Sequence, residues 1–220
     1  MTNVPLEPFA LFDGTTEAMD TLAIWLEHFP GGVCIHWPHP TSPAALTSFP
    51  TVETWRQALN ALDLDPTCSA PAVVRIKYRR AQKLYLLAWA DADVILAAEM
   101  VAFTALELAL NDRFGLLIKG LSPPPKKKKE PSATGMIATP LLSDLLDHLV
   151  THQGIRELDF PTARIGGGRV VNRLRKIGPL ADRPTLTEMR NRHAHGSPIE
   201  GGPLSGLLHV IRDLIHYCYA

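Results

Sequence analysis

A mainly α-helical bundle with a small mixed or irregular N-terminal extension is the fold class that this 220-residue sequence predicts. Three observations carry it. Residues 81–114 run without Gly or Pro and are rich in Ala and Leu, the longest helical signal in the chain. Several later segments repeat apolar residues at helical spacing between recognisable start and stop residues. Strand-like alternation is confined to residues 33–37.

Composition narrows the class. With 46% hydrophobic and 20% charged residues the chain is not globally disordered. Cys34, Cys68 and Cys218 are too few and too scattered for a disulfide framework, so a reducing, cytoplasmic setting is expected. The first dozen residues hold no Lys or Arg and no unbroken apolar run, and the most apolar long stretch carries Asp91, Asp93, Glu99 and Glu107. Neither a signal peptide nor a membrane span is expected from that pattern.

The zero net charge conceals an asymmetry. Residues 1–72 hold eight acidic side chains and one basic one, Arg56, whereas residues 151–195 hold nine basic against four acidic. The chain therefore divides into an acidic N-terminal unit, 1–72, and a helical bundle, 73–220. The basic part is where an RNA or DNA phosphate would be held, although solvated helix faces carry such excesses too.

In the N-terminal unit, residues 16–28 place Met19, Leu22, Ile24, Trp25 and Leu26 at helical positions before the stop Pro30-Gly31-Gly32. Residues 33–37 follow as a strand, and 38–50 form a proline-rich connector. Thr51 caps a helix reaching Leu62, with Glu53 in its first turn. Cys34, His36 and His39 lie close together, but no second ligand pair at zinc spacing follows, so no metal site is assigned.

The 81–114 segment is expected to be one long helix or two joined end to end, stopping at Gly115. Glu99 and Glu107 lie eight apart with Phe103 between them and project from nearly the same side. A carboxylate there either orients a His or Arg on a neighbouring helix or is simply solvated. Residues 121–135, with Lys126, Lys127, Lys128 and Lys129, make an exposed loop that either tethers or tracks a phosphate backbone.

Thr139-Pro140 opens the next helix, whose Leu141, Leu142, Leu145, Leu146, Leu149 and Val150 form one stripe ending at Gly154. After a flexible Gly166-Gly167-Gly168 loop, a helix over 169–177 turns Val170, Val171, Leu174 and Ile177 inward. Its Arg169, Arg173, Arg175 and Lys176 are candidate RNA-binding residues. The last helix, 203–219, presents Leu204, Leu207, Leu208, Ile211, Leu214, Ile215 and Cys218 on one face.

Between these two helices stands the densest chemistry of the chain: Arg190-Asn191-Arg192-His193-Ala194-His195-Gly196. Imidazoles exchange protons near neutral pH, and guanidinium forks match phosphate oxygens. Thr185 and Glu188 form a capping box that starts the helix near Leu186, and Gly196 supplies its stop. On a regular helix Asn191 and His195 lie about 40° apart, whereas Arg190 projects roughly 140° from His195. Both reach one phosphate only if the last turn unwinds or a second copy contributes, which points to a composite site on a symmetric dimer.

Arg190-Asn191, three residues, then His195-Gly196 resembles the Arg-x4–6-His signature of HEPN domains, and the Ala194-His195-Gly196 ending is typical of them. The resemblance covers residues 81–220 and includes the order of a long helix, a capped motif helix and a final amphipathic helix. It implies a HEPN-like helical bundle and a metal-independent endoribonuclease needing no cofactor, working as a homodimer, as a toxin or in phage defence. RNA and a neutralising antitoxin or regulatory protein would be its partners. Carried over, Arg190 and His195 are catalytic and Asn191 orients them, with Glu99, Glu107, Arg192 and His193 in support. His193 is read as a helper or a packed histidine. His195 would exchange a proton with the ribose 2′-hydroxyl or the leaving 5′-oxygen while Arg190 stabilises the phosphoryl charge, leaving a 2′,3′-cyclic phosphate. Two alternatives stand beside it: an inactive HEPN-like nucleotide-binding, RNA-binding or dimerisation module, and a DNA-binding regulator. The latter lacks helix-turn-helix spacing before Leu186.

Overall fold

A computed structural model of the chain describes residues 16–29, 31–38, 46–121, 140–164, 170–175, 184–195 and 206–220. The described residues are mostly helical, with one small sheet.

Helix α1, Thr16–Leu26, ends two residues before the expected His28, because the backbone there tightens: His28 and Phe29 bond three residues back, to Trp25 and Leu26. Strand β1, Val33–His36, pairs antiparallel with β2, Leu46–Phe49, in the register Val33↔Phe49 to His36↔Leu46. The supposed connector thus contains a strand, which tertiary packing holds: the Phe49 ring packs tilted against Trp55 with ring centres 4.7 Å apart and meets Trp37 at 5.8 Å. Helix α2, Val52–Asn60, begins as expected. The Thr51 hydroxyl accepts from the Thr54 amide (3.2 Å), and the Thr54 hydroxyl accepts in return from the Thr51 amide (3.3 Å).

The long central segment is two helices, α3 (Ala72–Leu87) and α4 (Val94–Leu121), folded back side by side rather than joined end to end. Asp91 makes the break without Gly or Pro. Its carboxylate accepts the Asp93 amide at 3.0 Å, offering the backbone an alternative to the helical ladder. Gly115 does not stop α4, which continues to Leu121; an interior glycine costs a helix only about 1 kcal/mol, and Phe114 beside it is anchored against His148. The Val94–Ile118 stretch is long and apolar enough to cross a membrane by length and composition. Here it is the core helix, packed against α3 and against three helices that follow it.

Helix α5, Leu142–Thr151, starts where the Asp144 carboxylate takes the Leu141 amide at 3.2 Å. Leu141 precedes the helix and is 68% exposed, and Val150 is half-buried, so the stripe narrows to Leu142, Leu145, Leu146 and Leu149. A single turn at Glu157–Asp159 and the short α6, Pro161–Arg164, follow, neither signalled by periodicity. Helix α7 spans Val170–Leu174, with Val170 and Leu174 buried. Helix α8, Leu186–Ala194, carries the expected capping box of Thr185 and Glu188.

Helix α9, Leu207–Tyr219, begins after Gly206, whose φ of +70° suits glycine, and so four residues later than expected. It is buried on nearly every side rather than on one face, because it runs between α4 and α6 with Trp37 against His209. A single core runs from Met19 to Cys218, filled by Trp55, Tyr78, Phe103 and Phe160. Polar bonds cross it: Trp55 Nε1 donates to the Tyr85 carbonyl at 2.8 Å and the Tyr78 hydroxyl to the Leu62 carbonyl at 2.9 Å. Residues on both sides of position 72 therefore contribute to one core.

Candidate functional site

Helical spacing sends Leu186, Met189, Arg190 and His193 to one face of α8, and that face lies on α4. Leu186 and Met189 are buried there. Arg190 Nε donates to Glu107 Oε1 at 2.8 Å, both side chains about a third exposed. His193 Nε2 stands 3.0 Å from Glu99 Oε2, at ion-pair distance without the alignment of a hydrogen bond, and its ring centre lies 6.2 Å from Phe103. Arg190 precedes His193 while Glu107 follows Glu99, so α8 runs antiparallel to α4. The shared side of Glu99, Phe103 and Glu107 is the surface on which α8 sits.

The two pairs differ in burial. Glu99 is fully buried and the His193 side chain is 5% exposed. A third group completes that inner cluster: Tyr85 of α3 hydrogen-bonds to Glu99, and burial, with Glu99 second, holds its phenol well above the usual range. Tyr85 was not legible as a site residue, since its position in the buried stripe Val74, Tyr78, Ala81, Tyr85 reads as core alone.

The opposite face of α8 carries Asn191, Arg192 and His195, all exposed. His195 is the C-cap with φ −96° and ψ 6°, already departing from helical geometry, and its amide reaches back to the Asn191 carbonyl at 3.0 Å. Arg190 also leans toward Asn191, with Nη1 3.4 Å from Oδ1. Of its five N–H donors, Glu107 occupies the Nε one firmly; the outer edge of the fork remains the part a phosphate can take. One short helix thus presents a guanidinium, an amide and an imidazole around its C-terminal end.

The proposed phosphate-tracking residues fare unevenly. Arg175 is exposed and stands 3.9 Å from Asp147 of α5, while Arg173 is half-buried and engaged. Helix α7, which bears Arg173 and ends just before Arg175, packs against α5 and α8. Arg169, Lys176, Lys126, Lys127, Lys128, Lys129, Gly196 and the three-glycine loop lie outside the described residues. Cys34 and His36 share the outer side of β1, and His39 lies outside the described residues.

Sequence reasoning also passed over a groove of about 700 Å³ at the C-terminal end of α9, lined by Asp63, Asp65, Asp159, Arg212, Asp213 and His216 among others. Arg212 is tied to Asp213 at 3.0 Å, and His216 Nε2 accepts the Asp65 amide at 3.2 Å. Asp63, Asp65, Asp159 and Asp213 outnumber Arg212 on its walls, and burial followed by Arg212 lowers the His216 pKa, so the groove disfavours a phosphate. The α8 cluster is the better nucleic-acid candidate. No family model, curated protein or solved structure matches the chain, so a functional reading rests on the α8 residues and their contacts.

Proposed function

We propose that this protein is a metal-independent endoribonuclease of HEPN type, a toxin or defence effector that cleaves RNA by 2′-hydroxyl attack. The observation that carries this reading is the set of groups at one end of a capped helix: Arg190 braced by Glu107 at 2.8 Å, Asn191 beside it, and His195 exposed at the C-cap. His195 takes or returns a proton at the ribose 2′-oxygen or the leaving 5′-oxygen, and Arg190 offers N–H donors to the charge that builds on the phosphoryl oxygens. Glu107 fixes Arg190 before substrate arrives, which limits the reorganisation needed at the reacting phosphate. Arg190 and His195 leave α8 in different directions, so two copies pairing their α8 ends would complete each phosphate site. The remaining basic side chains, Arg192 and Arg175 among them, supply sequence-independent attraction for the RNA backbone.

Mixing tests the composite arrangement. Arg190→Ala and His195→Ala proteins, each inactive alone, should regain RNA cleavage when combined and allowed to exchange subunits. If the mixture stays inactive while the wild type cleaves, each site is built within one chain. A second reading, an inactive HEPN-like binding or dimerisation module, is favoured by the pairing of both Arg190 and His193 with α4 carboxylates, as in a structural polar network. That reading expects RNA binding without cleavage in the wild type.

A further inference from the structure

We propose that Tyr85 and Glu99 are positioning residues of the motif helix: through His193 they set the rotation of α8 about its axis and so decide which histidine faces solvent. The part this plays in cleavage rests on the ribonuclease reading, whereas the rotational role does not.

The argument begins with the cost of Glu99. It is fully buried among Ile95, Ala98, Ala102 and Phe103 on an otherwise apolar stretch of α4, and a carboxylate is kept in such surroundings only where polar groups meet it. Two do, from two different helices: the Tyr85 hydroxyl from α3 and His193 Nε2 from α8, the latter at 3.0 Å. Tyr85 stays protonated, since burial and Glu99 both oppose its ionisation, and it therefore acts as the donor. A buried polar chain runs from α3 through α4 into α8, over a segment otherwise held by Leu186, Met189 and the Glu107–Arg190 pair.

Helix geometry turns this anchor into a choice. Residues two apart on a helix project roughly 200° from one another, so His193 and His195 cannot both face α4 or both face solvent. With His193 pinned inward by Glu99, His195 is left outside, next to Asn191 and Arg192. Without the pin, the last turn of α8 beyond Leu186, Met189 and Arg190 loses its own hold on α4 and can turn His193 outward.

Carbethoxylation of the full-length protein by diethyl pyrocarbonate, located by mass spectrometry, reads the rotation directly. The expected wild-type pattern is modification of His195 and protection of His193. Glu99→Ala should lose the protection at His193 and, in the same preparation, RNA cleavage. Glu99→Gln, which keeps a carbonyl acceptor for the Tyr85 hydroxyl and offers an amide N–H to a neutral His193 ring nitrogen, should retain both, a rescue that a merely space-filling role would not need. Should circular dichroism show Glu99→Ala unfolded, Tyr85→Phe replaces it, with increased His193 modification expected. Equal modification of the two histidines in the wild type, or protection of His193 that survives in Glu99→Ala or Tyr85→Phe, overturns the proposal. A wild type that shows the protection pattern but cleaves no RNA supports the positioning role and contradicts the ribonuclease reading alone.

Discussion

Acidifying the protein from pH 7 to pH 4 should weaken the fold through His209. This side chain of α9 is 4% exposed, its ring packs edge-on against Trp37 at 4.7 Å, and its Nδ1 has no hydrogen-bond partner among the described residues. The gap beside it measures only about 10 Å³, room for a single water at most. Burial, and after it the Arg212 guanidinium, push its pKa from 6.5 to about 4, with Asp213 opposing. The folded protein therefore keeps His209 neutral while the unfolded chain takes up a proton near pH 6.5. Stability is complete above that value and is lost as pH falls toward 4, by about 3 kcal/mol for the full displacement. Urea unfolding of the wild type and His209→Phe across this range isolates the term, because His148 and His216 titrate in both proteins. The wild type should lose about 3 kcal/mol more than the variant between pH 7 and pH 4. Parallel pH profiles would refute the reasoning and show that His209 is solvated or partnered in solution.

Other perturbations have different causes. Asp213→Ala removes a buried carboxylate that accepts the Thr162 amide at 2.7 Å and holds Arg212 at 3.0 Å, leaving both without it. Chemical denaturation should register a loss of about 3–5 kcal/mol, and a loss below about 1 kcal/mol would mean that water replaces the carboxylate. Trp55→Phe deletes the bond from Nε1 to the Tyr85 carbonyl in the core and should cost about 1–3 kcal/mol, seen as a lower Tm without loss of cooperativity. Thr185→Ala removes the cap of α8 and should cost about 1 kcal/mol, with faster amide exchange over residues 186–189; unchanged exchange there would count against a working cap.

Where structure is set by neighbours in sequence, it was legible. Thr51 and Thr185 announced the starts of α2 and α8, and the alternation of residues 33–37 announced β1, because caps and pleats depend on residues within a few positions. Features made by distant partners were not. Strand β2 exists because Val33 to His36 pair with it and Trp55 covers Phe49, and nothing in Leu46 to Phe49 alone announces that. The α3–α4 break depends on Asp91 folding onto its own backbone, which a search for Gly and Pro passes over. The single apolar face expected of α9 leaves out His209 and Asp213, yet both are buried by what surrounds them. At the site, the spacing of Glu99 and Glu107 identified a shared side of α4, while their partners, Arg190 and His193, became evident only once α8 was laid antiparallel across it.

RNA cleavage in EDTA is the most direct measurement of the central claim, comparing the wild type with His195→Ala and analysing the product ends. Cleavage that persists without divalent ions, leaves 2′,3′-cyclic phosphate and 5′-hydroxyl ends, and disappears in His195→Ala is the predicted result. Absence of cleavage, or equal cleavage by the two proteins, would contradict a ribonuclease site at the end of α8.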